Sequence, residues 1–142
     1  YNIKSTVGVK TDIPHDILRI RADLTQMQMV MSAIISNASE AIDSTGCIRI
    51  TGRNIEIIEE NSKDFGGLKP GPYICLKIED DGKGMDEETR KRVFEPFFST
   101  KFTGRGLGMA AAYGIIKNHD GWISISSKLG EGTTVFFYLP AI

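Results

Sequence analysis

The sequence predicts an α+β fold, a two-layer α/β sandwich in which a mixed sheet of about five strands packs on three helices. Segments with apolar residues at helical spacing predict one layer, and β-branched segments of alternating or continuous apolar character predict the other. The chain has 142 residues, the size of one domain, and no repeat, low-complexity tract or Pro/Ser-rich linker divides it. We therefore expect a single domain over residues 1–142.

Three helices are predicted from apolar spacing and from signals at their ends. The first covers about residues 24–42, where apolar side chains recur at three- and four-residue intervals. Asp23 precedes it and Gln26 follows three residues later, which is the pattern of a capping box. A short helix over Glu87–Val93 and an Ala-rich helix over Leu107–Asn118 complete the set.

The predicted strands are β-branched segments bounded by turn residues. The last two form a hairpin across the loop at Lys128–Gly132. The segments are Val7–Lys10, Ile17–Arg21, Cys47–Ile58, Pro72–Ile78, Trp122–Ser127 and Thr133–Leu139.

Charge and cysteine content exclude several classes of function. The chain carries 17 Lys and Arg against 18 Asp and Glu, so no field of one sign favours nucleic acid or an anionic membrane. No apolar run reaches the roughly 18 residues of a spanning helix, and Tyr1–Lys10 lacks the features of a signal peptide. Cys47 and Cys75 lack metal-binding spacing and are predicted as small buried side chains. We expect a cytoplasmic domain.

Glycine is the one residue type in excess, with 15 residues against about ten at average usage. The surplus is uneven along the chain, which makes its clusters candidate functional segments. They are Gly82 and Gly84, then Gly104, Gly106 and Gly108, then Gly130 and Gly132.

The first glycine cluster follows the predicted strand Pro72–Ile78 in the sequence EDDGKGM. Asp-Gly after a strand is typical of a hairpin turn. Alternatively, Asp80 at the strand end accepts hydrogen bonds from the exocyclic amine of a ligand, while Gly82 and Gly84 let the backbone approach a flat base. The helix-like segment Met85–Phe94 favours this second interpretation.

The second glycine cluster, Gly104–Gly108, opens a predicted helix. Alternate glycines at a helix N-terminus leave N–H groups free to bind phosphate, and Lys101 and Arg105 add positive charge. The alternative is a flexible loop before a close-packed helix. A Walker loop and the protein-kinase motifs are absent. The formal match Gly106-x-Gly108-x-x-Ala111 to a dinucleotide fingerprint lacks the preceding strand and the later acid.

Asn37 lies inside the first predicted helix. A lone Asn there usually faces solvent, but Asn37 borders an apolar stripe, and an amide oxygen can complete the coordination of Mg²⁺. The segment Phe94–Phe98 combines core aromatics with a position suited to a hinge under a ligand-covering lid.

Taken in order, these segments resemble the N, G1, F and G2 boxes of histidine kinases: Asn37 in SNASEA, Asp80-x-Gly82-x-Gly84, FEPFF, and Gly104-x-Gly106-x-Gly108. Residues 130–140, GEGTTVFFYLP, resemble the end of the same domain. The chain thus resembles, over about residues 10–140, the ATP-binding catalytic domain of sensor histidine kinases. Sensor histidine kinases belong to a superfamily with gyrase, the Hsp90 chaperones and MutL, whose shared fold is the Bergerat type. The segments around Asn37 and AYGIIKNHDG resemble the NtrB-like and hybrid-kinase branch.

The resemblance implies a role for each matching residue. Asp80 accepts the 6-amino proton of adenine and Thr133 assists through a water, while Asn37 coordinates Mg²⁺. Phosphates are held by the glycine-rich segment, and Asn37, Lys101 and Arg105 serve catalysis. The residues implied at the base are Ala41, Gly82, Gly84 and Met85, and those at the phosphates are Lys101, Gly104, Arg105, Gly106, Leu107 and Gly108.

Two positions depart from the pattern of the resembled family. Ala33 stands four residues before Asn37, where the ATPases of the superfamily carry a Glu that activates water. Without that base, hydrolysis loses a factor of about 10²–10⁴, which favours transfer of the phosphoryl group to a protein. Glu40 stands where many kinases have a basic phosphate contact. His15 and His119 are predicted as surface residues rather than phosphoacceptors, because His15 lies in a turn-like segment and His119 lies at the C-terminus of a predicted helix.

The predicted function is therefore transfer of the γ-phosphoryl group of ATP·Mg²⁺ to a histidine on an adjoining dimerisation domain. The implied partners are that phosphoacceptor helix domain and, downstream, the receiver domain of a response regulator. We expect no nucleic-acid or direct membrane contact, and a monomeric isolated domain. The alternatives are a stand-alone ATPase of the MutL and gyrase class and a non-catalytic nucleotide-sensing module.

Overall fold

The structure, a computed structural model, describes residues 6–96 and 108–142. It confirms the predicted α+β sandwich, with helices on one face of a mixed sheet. A short 3₁₀ turn at Ser62–Phe65 lies between the second and third strands. In chain order the other elements are β1 Val7–Asp12, α1 Leu24–Ala41, β2 Gly46–Ile57, β3 Gly71–Asp80, α2 Glu87–Arg92, α3 Gly108–Asn118, β4 Trp122–Lys128 and β5 Gly132–Pro140.

The sheet has five strands in the order β1-β2-β3-β5-β4. The β1–β2 pair is parallel, and the β2–β3, β3–β5 and β5–β4 pairs are antiparallel. The predicted strand at Ile17–Arg21 is wrong, because only Ile20 pairs, in a single bridge to Ala141. The Leu18 N–H donates to the Asn54 side chain at 2.8 Å instead of to a neighbouring strand.

The N-terminus of α1 forms where the sequence predicts it. The Asp23 side chain accepts the Gln26 N–H at 2.8 Å, so one of the unpaired donors of the first turn is satisfied. In a capping box, the Gln26 side chain would accept the N–H of Asp23. Here Nε2 of His119 accepts that N–H instead, at 3.3 Å. His119 is therefore half-buried and bonded between α1 and α3, rather than the free surface residue that the sequence suggested.

Helices α1 and α3 bury their apolar faces against one side of the sheet. Alternate residues of β3 point to opposite faces, so Ile74 and Ile78 join this main core while Tyr73 and Cys75 join a second cluster on the other face. Leu68 covers this second cluster from the β2–β3 connection. Burial of Cys75 is confirmed, whereas Cys47 is only half-buried.

The loop after β3 connects to α2 and does not form a hairpin, so the turn interpretation of EDDGKGM is wrong. The loop lies between the end of α1 and the β4–β5 turn. The Lys83 N–H donates to the Ala41 carbonyl at 2.9 Å, and the Lys83 carbonyl accepts the Gly130 N–H at 2.8 Å. Backbone bonds on both sides thus hold the loop.

Two glycines permit this close packing. A Cβ at Gly82 would lie 2.5 Å from the Ala41 carbonyl oxygen. Gly84 has φ +70°, and a Cβ there would overlap the carbonyl oxygen of Lys128. The sequence therefore needs glycine at both positions for steric reasons, and at Gly84 also for the backbone conformation.

We predict that Gly84→Ala destabilises the domain more than Gly130→Ala. Both residues have positive φ, but nothing lies within 4 Å of a Cβ at Gly130, so that variant carries only the conformational cost of about 1–2 kcal/mol. Gly84→Ala adds the overlap with Lys128, which costs about 1–3 kcal/mol more. Denaturant unfolding of both variants measures the difference, and equal losses of stability would contradict the described packing.

Candidate functional site

Asp80 is the last residue of β3 and lies opposite Thr133 of β5 in the sheet register. Its carboxylate accepts the Gly82 N–H at 2.9 Å and the Thr133 N–H. The strand end and the loop thus aim two backbone donors at one half-buried acid. The sequence analysis placed Asp80 and Gly82 in one segment and expected Thr133 to assist Asp80, and the fold places the three residues next to one another.

Burial raises the pKa of Asp80 to about 6. The backbone donors from Gly82 and Thr133 act in the opposite direction, and the nearby Asp81 carboxylate raises the pKa further. Desolvation therefore outweighs the two hydrogen bonds. At neutral pH the group is mostly ionised and acts as an acceptor, whereas below about pH 6 it holds a proton.

Asp81 points away from this acid and fixes the loop to the sheet. Its Oδ1 accepts the Cys47 N–H at 2.9 Å, at the beginning of β2. The two neighbouring carboxylates thus have different roles, because Asp80 accepts bonds from the loop and from β5, whereas Asp81 ties the loop to the segment that follows α1.

Sequence reasoning missed Ser127, which lies at the centre of a hydrogen-bond network beside Asp80. Its Oγ accepts the Met85 N–H at 2.8 Å and lies 2.7 Å from Thr133 Oγ1. It also bonds to the Gly132 carbonyl at 3.2 Å. The signal that could have found it is the register of the β4–β5 hairpin, which places Ser127 opposite Thr133.

A cavity of about 570 Å³ runs along α1 and the beginning of α3. Gly108 begins α3 so close to α1 that a Cβ there would contact Ala33 at 3.5 Å. Asn37 is exposed and lines this cavity together with Ala33. The full lining is Thr25, Gln28, Met29, Ser32, Ala33, Ser36, Asn37, Glu40, Gly108, Met109 and Ala111.

The last turns of α1 connect the cavity with the loop after β3. Asn37 lines the cavity, and Ala41, four residues later on the same helix, contacts Gly82 and accepts the Lys83 N–H. Residues four apart lie on one helix face about 6 Å along the axis. The loop after Asp80 therefore contacts the last turn of α1, whereas the cavity runs along the helix from Thr25 to Glu40, and Asp80 is not among its lining residues.

Several residues proposed from the sequence lie outside the described residues. Phe94 of the aromatic segment is described, and its ring packs 5.2 Å from that of Tyr113 on α3. The proposed residues that are not described are Lys101, Gly104, Arg105, Gly106 and Leu107.

Within residues 6–96 and 108–142, no group of three or more His, Cys, Asp and Glu side chains is arranged to hold a metal ion. A cation beside Asn37 would therefore be coordinated mainly by its own waters and by oxygens of a bound ligand. Mg²⁺ binds in this way, since it keeps several waters and takes few protein ligands. The exposed Asn37 amide at the cavity fits that requirement.

In the same part of the chain, none of the helices is long and apolar enough to cross a bilayer.

Comparison with known proteins gives relatives over almost the whole chain. The sensor kinase CckA of Brucella abortus (strain 2308) is 34% identical over 138 residues, which are 96% of this chain but 15% of CckA. The catalytic domain of histidine kinase ThkA has the same fold, with a TM-score of 0.74 and 26% identity over 96% of this chain and 80% of that one. Full-length ShkA in complex with AMPPNP matches at TM-score 0.73 and 21% identity, over 95% of this chain and 26% of ShkA.

The chain spans only a small part of the length of sensor kinases such as CckA. The family described as histidine kinase-, DNA gyrase B- and HSP90-like ATPase matches residues 22–142. This range contains α1, the loop after β3, α3 and the β4–β5 hairpin, which are the elements that build the site. The chain therefore belongs to the family of histidine kinase-, DNA gyrase B- and HSP90-like ATPases.

Proposed function

We propose that this domain binds ATP with Mg²⁺ and supplies the γ-phosphoryl group that modifies a histidine on an adjoining dimerisation domain. The observation that carries the proposal is the half-buried Asp80 carboxylate, held by two backbone donors beside the loop that contacts the last turn of α1. The similarity to sensor kinases such as CckA supports this reaction rather than the others of the family.

Asp80 is the residue proposed to recognise the base. An ionised carboxylate accepts a hydrogen bond from the 6-amino group of adenine, whereas the 6-keto oxygen of guanine has no proton to donate and is repelled. The proposal places Ala41, Gly82, Gly84 and Met85 at the base. The two glycines serve the site by letting the loop pack against the carbonyls of Ala41 and Lys128, beside Asp80. Thr133, adjacent to Asp80 in the register, assists through a water.

Asn37 and the beginning of α3 are proposed to hold the metal and phosphates. Asn37 would hold Mg²⁺ through its amide oxygen, and the ion would supply positive charge that neutralises the phosphates. Gly108, Met109 and Ala111 line the cavity, so the first N–H groups of α3 lie near it. Lys101 and the segment 104–107, which includes Arg105, are proposed to position the phosphates and to stabilise the charge that develops during transfer.

Ala33 argues against the alternative of a stand-alone ATPase. It lines the cavity one helical turn before Asn37 and carries only a methyl group, which cannot take a proton from water. Transfer to a protein acceptor does not need a base at that position. The second alternative, a nucleotide-sensing module that transfers no phosphoryl group, is distinguished by the phosphotransfer experiment.

The relatives suggest that the domain works within a longer protein. Since the matched residues are 15% of CckA, we propose that the chain is one domain of a sensor kinase. Its partners are then the phosphoacceptor helix domain and, through it, a receiver domain. In this role the domain itself lies in the cytoplasm and acts on a helix supplied by the same assembly.

The function is tested by mixing the chain with the histidine-bearing helix domain of its parent and γ-labelled ATP. We expect label on histidine and, for the chain alone, hydrolysis slower than transfer. Robust multiple turnover without the helix domain would favour the ATPase class. ATP binding without any phosphohistidine would favour the sensing module.

Asp80→Asn should weaken ATP binding about ten- to 150-fold, because it removes a charge-assisted hydrogen bond of about 1.5–3 kcal/mol. It should also reduce the preference for ATP over GTP. Asp81→Asn is the matched control, since it removes the same charge but keeps the oxygen that accepts the Cys47 N–H. Calorimetry with both variants measures the effect, and unchanged affinity in folded Asp80→Asn would contradict base recognition by this acid.

The raised pKa of Asp80 predicts pH-dependent binding. Because the carboxyl is protonated below about pH 6 in the free domain, ATP affinity should fall about tenfold from pH 7 to pH 5. The phosphates of ATP also titrate in this range, and Asp80→Asn isolates their contribution. The same pH profile in the wild-type chain and in Asp80→Asn would exclude Asp80 as the titrating group.

A further inference from the structure

The Ser127 hydroxyl has three hydrogen-bond partners but only one proton. This determines which group donates in each of the three bonds. A serine hydroxyl donates one hydrogen bond and accepts two. The Met85 N–H occupies one acceptor position at 2.8 Å. The Gly132 carbonyl, at 3.2 Å, can only accept. Thr133 Oγ1, at 2.7 Å, can donate or accept.

Only one arrangement satisfies all of these contacts. The single proton of Ser127 goes to the Gly132 carbonyl, since that oxygen has no proton to give. Ser127 must then accept from Thr133 as well as from Met85. The Thr133 hydroxyl uses its proton in this bond, so it presents only lone pairs to any other group.

Thr133 lies beside Asp80, its partner in the β3–β5 register, and its backbone N–H donates to the Asp80 carboxylate. Side chains of directly opposed residues lie on the same face of a sheet. The Thr133 hydroxyl and the ionised Asp80 carboxylate therefore present hydrogen-bond acceptors on the same face of the sheet. Such a pair favours a ring edge that carries an amino group and disfavours one that carries a keto oxygen.

We propose that Ser127 is a positioning residue that makes Thr133 an acceptor and thereby increases selectivity for 6-amino over 6-keto purine nucleotides. This inference rests on the proposed function, because it concerns the same base site. Ser127 acts through Thr133 and through the Met85 backbone, and it need not touch the nucleotide. Without the Ser127 hydroxyl, the Thr133 proton is released to the water through which Thr133 acts, and that water can then donate to a 6-keto oxygen.

The test compares the affinities of this chain for ATP and ITP, which differ at the 6-position of the base. Ser127→Ala should lower the ratio of ATP to ITP affinity by about three- to tenfold, the effect of one hydrogen bond. Ser127→Thr keeps the hydroxyl and should keep the ratio. Ser126→Ala removes a hydroxyl from the exposed neighbouring residue and should change neither affinity.

A double-mutant cycle with Thr133→Val identifies the route. If Ser127 acts through the Thr133 hydroxyl, Ser127→Ala should not change the ratio in the Thr133→Val background. Circular dichroism and thermal unfolding verify each fold. If Ser127→Ala does not fold, Ser127→Cys, with a weakly bonding thiol of similar size, carries the same expectation.

The outcomes separate this inference from the proposed function. A loss of ATP and ITP affinity by the same factor in Ser127→Ala would mean that the serine only supports the fold, and would overturn the inference. It would be overturned equally if the ratio fell by the same factor with and without the Thr133 hydroxyl. A wild-type chain that binds ATP and ITP equally, with no effect of Asp80→Asn, would overturn the proposed base site itself.

Discussion

The structure of the site depends on the fixed position of the loop between β3 and α2. Backbone bonds join Lys83 to the end of α1 and to the β4–β5 turn, and glycine at positions 82 and 84 lets the chain approach neighbouring carbonyls. Because these bonds hold the loop on both sides, the Gly82 and Thr133 N–H groups stay directed at the Asp80 carboxylate. Under the proposed function, a ligand that donates to this carboxylate would meet a loop that is already in place.

Burial of the Asp80 carboxylate at this site lowers the stability of the folded domain. The folded pKa of Asp80, about 6, lies above its ordinary value of 3.8, so the ionised group opposes folding. That unfavourable contribution is absent at low pH, where both states hold the proton, and grows as the pH rises from about 4 to about 6. A ligand that donates to the carboxylate offsets the desolvation, which couples binding to the stability of the domain.

Local sequence signals predicted most of the helices and strands and pointed to Asp80. Contacts between segments that are distant in sequence became known only from the structure. The Asp23 cap follows from residues three apart, and Asp80 follows from its place at a strand end. The apolar segment Ile17–Arg21 was wrongly predicted as a strand, because alternation alone does not show whether a neighbouring strand offers its backbone. Ser127 was missed because its importance comes from the hairpin register and from the return of the loop at Met85.

The most direct measurement is a structure of this chain crystallised with a non-hydrolysable ATP analogue. We expect the 6-amino nitrogen of adenine about 2.7–3.2 Å from a carboxylate oxygen of Asp80, with the phosphates directed along α1 towards Asn37. An ordered analogue whose base lies away from Asp80, with that carboxylate still bonded only to Gly82 and Thr133, would contradict adenine recognition at this site.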